Sequence, residues 1–224
     1  LQKGYQMRAY EDHVTVKDEG ILELTGEFFP FAVLKHANES SVMGVLTQTV
    51  IWRGTLDGKK VEGLGNFELC FMPKGDHREL NDFASYIYCH DIGIREDGRK
   101  EMSSVSMDLS GKGTASYWLE GQDPVTADQI AMEADWQRLS YMNDGTCTYS
   151  EAVIRYGGKE IHFEGKWGQK GLTAYPRIEL AGQSQQHGWW YEGKVPYRHQ
   201  MSFTFHENMD IYDYKLETNG IKIR

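Results

Sequence analysis

TQTVIWRGTLDGKKVEGLGNFELCF, residues 47–71, is the stretch on which the fold turns. Thr47 to Arg53 is rich in β-branched and aromatic residues, Asp57-Gly58 follows, and Lys60 to Phe71 resumes with apolar residues spaced among polar ones. Strand formers on both sides of Asp-Gly read as a β-hairpin, because the tight turn that matches strand twist needs positive φ, which glycine adopts at little cost. The same device recurs at Asp97-Gly98, Asn143-Asp144-Gly145, Gly157-Gly158 and Asn219-Gly220. Neighbouring segments alternate, as in Ser104–Leu109 (SVSMDL), Ile161–Trp167 (IHFEGKW) and Gln200–Phe205 (QMSFTF). A period of two turns one row of side chains to a core and the other to a wetter face. The pattern predicts an all-β, antiparallel, hairpin-rich protein with at most one or two short helices.

Two stretches carry helical signals. Asp76 to Tyr88 opens with Asp76 and Glu79 at capping-box spacing and sets Leu80, Phe83, Ala84 and Ile87 at helical intervals, which predicts a short helix. Thr126 to Leu139 has a similar start, but Ile130, Met132, Ala134 and Trp136 alternate, which predicts a strand. No Pro-rich or Ser-rich linker interrupts the chain, so residues 1–224 read as one β-rich domain. A faint echo between Asp57–Gly63 (DGKKVEG) and Gly157–Gly165 (GGKEIHFEG) allows duplicated halves, near 1–120 and 121–224.

At 224 residues, 40% hydrophobic and 25% charged, with 24 Gly against 5 Pro, the chain can bury a full core without staples. The net charge of −9, with no cluster of Lys and Arg, argues against a nucleic-acid partner, whose phosphates require such a cluster. The longest apolar run, Phe28 to Leu34, is too short to span a bilayer. Residues 1–224 show no leader pattern, although a start at Leu1 in place of Met is compatible with a trimmed N-terminus; the expectation is a soluble, cytoplasmic protein. Cys70, Cys89 and Cys147, without CxxC spacing, read as core thiols. Asn38-Glu39-Ser40 matches the permissive glycosylation pattern.

The most unusual segment is His187–Tyr191 (HGWWY). Adjacent Trp189 and Trp190 on a strand must point to opposite faces, so one can enter the core while the other meets a cavity or the surface. Trp52, Trp118, Trp136 and Trp167 are spread over other candidate strands. His199 and His206, seven apart in a strand-like segment, are expected on opposite faces, and no HExxH or His-x-His pair occurs; neither a metal nor a cofactor is expected. Acid–base candidates are His36, His90 with adjacent Asp91, His187, His199, Glu68, Glu133, Asp135 and Glu164. No Gly-x-Ser-x-Gly elbow, phosphate loop or dinucleotide fingerprint is present, since Gly63-Leu64-Gly65 lies inside a hairpin strand.

Two motifs resemble the lipocalin-fold proteins grouped with carotenoid 1,2-hydratases and AttH-like proteins. Trp52–Leu69 (WRGTLDGKKVEGLGNFEL) resembles the hairpin near the end of that group's second barrel, and His187–Gly193 (HGWWYEG) resembles the Trp-Trp-Tyr motif that opens the first. They cover 25 of 224 residues and stand in the reverse order, on a chain shorter than two-barrel members. The resemblance implies a lipocalin-like (calycin-like) barrel, or a pair of small barrels, around an apolar cavity. It also implies cofactor-free hydration, isomerisation or cyclisation of an isoprenoid- or polyketide-like molecule. Such chemistry needs an acid that protonates an alkene or carbonyl beside aromatic faces that stabilise positive charge. The expected catalytic residues are His187 and Glu68, and the expected ligand-binding residues are Trp52, Trp189, Trp190, Tyr191 and His199. The competing readings are a passive carrier of a hydrophobic molecule and a carbohydrate-active sandwich using paired carboxylates such as Glu133 and Asp135.

Overall fold

The computed structural model of the protein describes residues 4–36, 44–71, 85–139, 145–165, 173–175, 183–193 and 199–224. By contacts the chain divides into two compact units, residues 1–34 with 46–69, and residues 35–45 with 70–224.

The first unit is a sheet of β1 (Gln6–Ala9), β2 (His13–Asp18), β3 (Leu22–His36), β4 (Gly44–Leu56) and β5 (Lys59–Phe71), in that spatial order. Each strand pairs with its sequence neighbour, the meander that short turns dictate. The turn between β4 and β5 is Asp57-Gly58, and Gly58 has φ +72° as the sequence predicts. Val14, Phe29, Val33, Val50 and Ile51 are buried. Trp52 packs over Gly26, where an added Cβ would stand 2.9 Å from the indole.

The second unit continues with β6 (Tyr86–Arg95), β7 (Lys100–Met107), β8 (Lys112–Leu119), β9 (Val125–Gln129), β10 (Ala131–Ala134), β11 (Gln137–Arg138), β12 (Cys147–Thr148), β13 (Glu151–Tyr156), β14 (Lys159–Gly165), β15 (Thr173–Tyr175), β16 (Gln183–Gln186), β17 (Gly188–Glu192), β18 (His199–Met209) and α1 (Asp213–Thr218). One sheet runs β15-β16-β18-β6-β7-β8-β9 and a second β10-β13-β14-β17. They close around one core that takes Ile87, Cys89, Val105 and Tyr117 from the first sheet and Ile154, Ile161, Phe163 and Trp190 from the second. Hairpins β6–β7 and β13–β14 turn at Asp97-Gly98 and Gly157-Gly158, as expected.

Three local expectations change. Tyr86–Tyr88 opens β6, so the end of the helix expected over Asp76–Tyr88 is strand, while residues 76–84 lie outside the described residues. The C-terminal Asn219-Gly220 closes α1 instead of a hairpin; Gly220 at φ +73° serves a helix end as well as a turn, which is why the dipeptide alone does not tell them apart. Third, β18 carries a bulge: His199 pairs with Arg95 and Met201 with the next residue, Ile94. The extra residue, Gln200, reverses the alternation, so His199 and His206 face the same interior. Thr126–Leu139 is extended as expected, in three short strands with Ile130 and Trp136 buried. Asn143-Asp144 and Asn38-Glu39-Ser40 lie outside the described residues.

Candidate functional site

Inside the second unit, polar side chains run as a column between the two sheets. At the end where β6 turns into β7, Glu101 has no exposed surface and accepts from three donors. Arg95 donates through Nε at 3.0 Å and more closely through its terminal nitrogen; Tyr117 donates through its hydroxyl; His199 donates through Nε2 at 3.0 Å. Burying a carboxylate is tolerable only when its lone pairs are so satisfied. Glu192 lies beside it, 2.9 Å from Lys159 Nζ and 3.1 Å from the Tyr117 hydroxyl. Lys159 stands over the Tyr117 ring at 4.3 Å. The floor beneath is aromatic: Trp190 stacks on His199, ring centres 4.8 Å apart, and donates its indole N–H to the Ile92 carbonyl at 3.3 Å.

Four residues back along β6, about 13 Å at strand rise, lies a second histidine–carboxylate pair. His206 Nε2 donates to Asp91 Oδ1 at 2.8 Å, and neither residue is exposed. The other ring nitrogen is 2.9 Å from the Tyr149 hydroxyl, which is itself 3.5 Å from Cys89 Sγ. Phe163 stacks on the His206 ring at 3.8 Å. Burial opposes the charged ring, but the Asp91 carboxylate and Cys89 alongside outweigh it and push the His206 pKa up to about 10. A protonated ring in this place would donate from both nitrogens, to Asp91 and to the Tyr149 hydroxyl. Asp91 Oδ2 has no partner among the described residues.

Of the residues singled out in the sequence, the structure joins Trp190 and His199. Trp190 is 1% exposed and Trp189, on the opposite face, 48%. Tyr191 shares the outer face with Trp189 and stacks on its cross-strand partner His162 at 5.2 Å. His187 donates to the Thr204 carbonyl and packs near Phe203 and Phe205, on the face of β18 opposite to His206. Trp52 and Glu68 belong to the first unit, where Glu68 accepts from Thr47 Oγ1 at 2.8 Å. Arg95, Glu101, Tyr117, Tyr149, Lys159, Glu192 and His206 were not among the site residues chosen from sequence. The available signal was charge flanking the Asp97-Gly98 turn; the His206–Asp91 pair spans 115 positions and has no local spacing.

A groove of about 420 Å³ crosses the outer face of the β10-β13-β14-β17 sheet, lined by Glu133, Asp135, Glu151, His162, Glu164 and Tyr191 among others. Its two carboxylates of the sandwich reading are engaged: Asp135 accepts from the Ser150 and Glu151 amides and the Ser150 hydroxyl, and Glu133 from Arg155. Among the described residues no three His, Cys, Asp or Glu side chains are grouped to hold a metal, and no helix is long and apolar enough to cross a membrane.

No family model and no curated protein matches the sequence. Among solved structures that share the fold, a protein provisionally described as an AttH, from Nitrosomonas europaea, has a TM-score of 0.55 at 10% identity, over 93% of this chain and 64% of its own. Kievitone hydratase from Nectria haematococca has a TM-score of 0.53 at 8% identity, over 95% of this chain and 70% of its own. The chain thus spans just under two thirds of the length of the first. At these identities the likeness establishes the fold: it is the all-β, lipocalin-like arrangement of the group that the two motifs resemble.

Proposed function

We propose that the second unit performs general acid–base chemistry, hydration, isomerisation or cyclisation, on a small hydrophobic molecule admitted to its interior. The observation that carries this reading is the buried His206–Asp91 pair with Tyr149 on the far side of the ring. Desolvating an ion pair costs several kcal/mol per ion, and an apolar pair of similar volume is often as stable or more so. A passive carrier of an apolar molecule gains nothing from such a pair. A proton-transfer site gains a protonated group in a dry place.

In this reading His206 holds the proton, Asp91 is its counter-ion, and the Tyr149 hydroxyl relays the proton to the ligand. A proton held to about pH 10 matches a phenol or enol oxygen, since a tyrosine phenol itself titrates near about 10. That favours proton transfer at a hydrophobic carbonyl, enol or phenol over protonation of an unactivated alkene. The hydratase among the fold neighbours supports the reaction class. The test is incubation in deuterium oxide with a panel of hydrophobic enones and prenylated phenols, followed by mass spectrometry. Deuterium or water should be incorporated by the native protein and not by His206→Gln or Asp91→Asn. Tight binding of panel members without incorporation would establish the carrier instead.

A further inference from the structure

We propose that Asp91 and Ser103 hold one buried water between them, and that protons reach the His206–Asp91 pair through it. The inference stands on the hydrogen bonding around the pair and not on the reaction proposed above.

Asp91 has no exposed surface, and its Oδ1 accepts from His206 at 2.8 Å. Its Oδ2 is equally buried and has no partner among the described residues. Leaving a buried carboxylate oxygen without a donor is costly, so protein interiors satisfy such atoms with a side chain or an ordered water. The neighbours of Asp91 on the interior face decide which of the two it is. Opposite it on β18 stands Thr204, whose hydroxyl accepts from the Gly188 amide and donates to the Gly188 carbonyl at 3.3 Å. Two positions away along β6, Gly93 has no side chain, and the Cys89 thiol is engaged with the Tyr149 hydroxyl at 3.5 Å. Ser103 remains, directly opposite on β7 and 1% exposed.

Ser103 leads away from the pair into a second hydroxyl. Its Oγ is 2.7 Å from the Tyr156 hydroxyl, which in turn is 3.2 Å from the Ser116 carbonyl. A carbonyl only accepts, so Tyr156 gives its proton to Ser116 and Ser103 gives its own to the Tyr156 oxygen. Burial pushes the Tyr156 phenol up; the Ser103 hydrogen bond opposes this and the Asp91 charge adds to it, so Tyr156 keeps its proton. The lone pairs of Ser103 Oγ and Asp91 Oδ2 are then left facing each other with no proton between them. One water resolves the conflict by donating to both. Directly opposite residues have Cβ atoms about 4.5–5.5 Å apart, a gap that a single bridging water spans. That water touches the carboxylate that faces His206, so a proton leaving the ring is replaced through Asp91.

The experiment joins a high-resolution crystal structure of the native protein to deuterium exchange at the His206 ring, followed by nitrogen-15 NMR in the native protein, Ser103→Val and Ser103→Thr. Near-ultraviolet circular dichroism checks each variant for fold. The crystal structure should show one ordered water within hydrogen-bond distance of both Asp91 Oδ2 and Ser103 Oγ. Ser103→Val puts a methyl group in place of the hydroxyl and should slow exchange of the His206 Nε2 proton by about tenfold or more, while Ser103→Thr, which keeps the hydroxyl, should change it by less than about threefold. A protein donor on Asp91 Oδ2, or an Asp91 Oδ2 with no water against it, would overturn the site, and the native crystal structure decides this even where Ser103→Val fails to fold. Exchange as fast in Ser103→Val as in the native protein, or slowed equally in Ser103→Thr, would overturn the route.

Discussion

His199 and His206 lie seven residues apart on one strand and face the same interior, each hydrogen-bonded to its own carboxylate, Glu101 at 3.0 Å and Asp91 at 2.8 Å. Regular alternation forbids this, and the bulge at Gln200 permits it. Space for the first of the two rings comes from Gly93, where an added Cβ would stand 2.3 Å from His199 Cδ2.

Gly93→Ala should therefore destabilise the protein by the cost of overpacking, about 1–3 kcal/mol. The same substitution should be nearly neutral in a His199→Ala background. A double-mutant cycle from urea unfolding measures the difference; equal costs in both backgrounds would show that His199 does not fill the space above Gly93.

His206→Leu leaves Asp91 as a buried charge without its partner and should cost about 3–5 kcal/mol. Asp91→Leu combined with His206→Leu should recover most of that loss while remaining inactive in the deuterium assay. A double variant as unstable as the single one would mean that the ion pair is itself net stabilising, so that stability alone accounts for it.

The pH dependence has a definite sign. The folded-state value of His206, about 10, lies above the value of about 6.5 for an unfolded imidazole, so its stabilising contribution is fully present below about pH 6.5 and is lost as pH rises through about 10. The melting temperature of the native protein relative to the Asp91→Leu, His206→Leu variant should be highest in mild acid and decline toward pH 10. A margin that widens with rising pH would contradict the assignment.

Gly58, at φ +72°, has no atom within 4 Å of a built Cβ, so the cost of replacing it comes from the backbone alone. Gly58→Val should cost about 1 kcal/mol or more and lower the melting temperature by several degrees. Gly58→Asn should cost less, because asparagine tolerates left-handed φ. Equal losses for the two would point to a steric cause that the open turn lacks.

The architecture was legible because hairpin turns are local: Asp57-Gly58, Asp97-Gly98 and Gly157-Gly158 each declare two strands within a few residues. The opposed faces of Trp189 and Trp190 were legible for the same reason, since period two follows from strand geometry. The site was much less so. Gln200 has the chemistry of any strand residue, and its bulge arises from pairing with β6, far away in sequence. Asp91 stood among many ionisable candidates, and only the fold brings it to His206. At six residues, α1 is too short to show a helical period, and its closing Asn219-Gly220 has the same positive-φ signature as a turn.

Proton storage inside the second unit is tested most directly by nitrogen-15 NMR of the His206 ring, assigned by its loss in His206→Gln and followed from about pH 5 to about pH 11. The expected result is a pair of protonated ring nitrogens that persist through neutrality and titrate near about 10. A His206 ring that is neutral at pH 7, titrating at or below the ordinary histidine range, would contradict the proposal that this interior holds an acid.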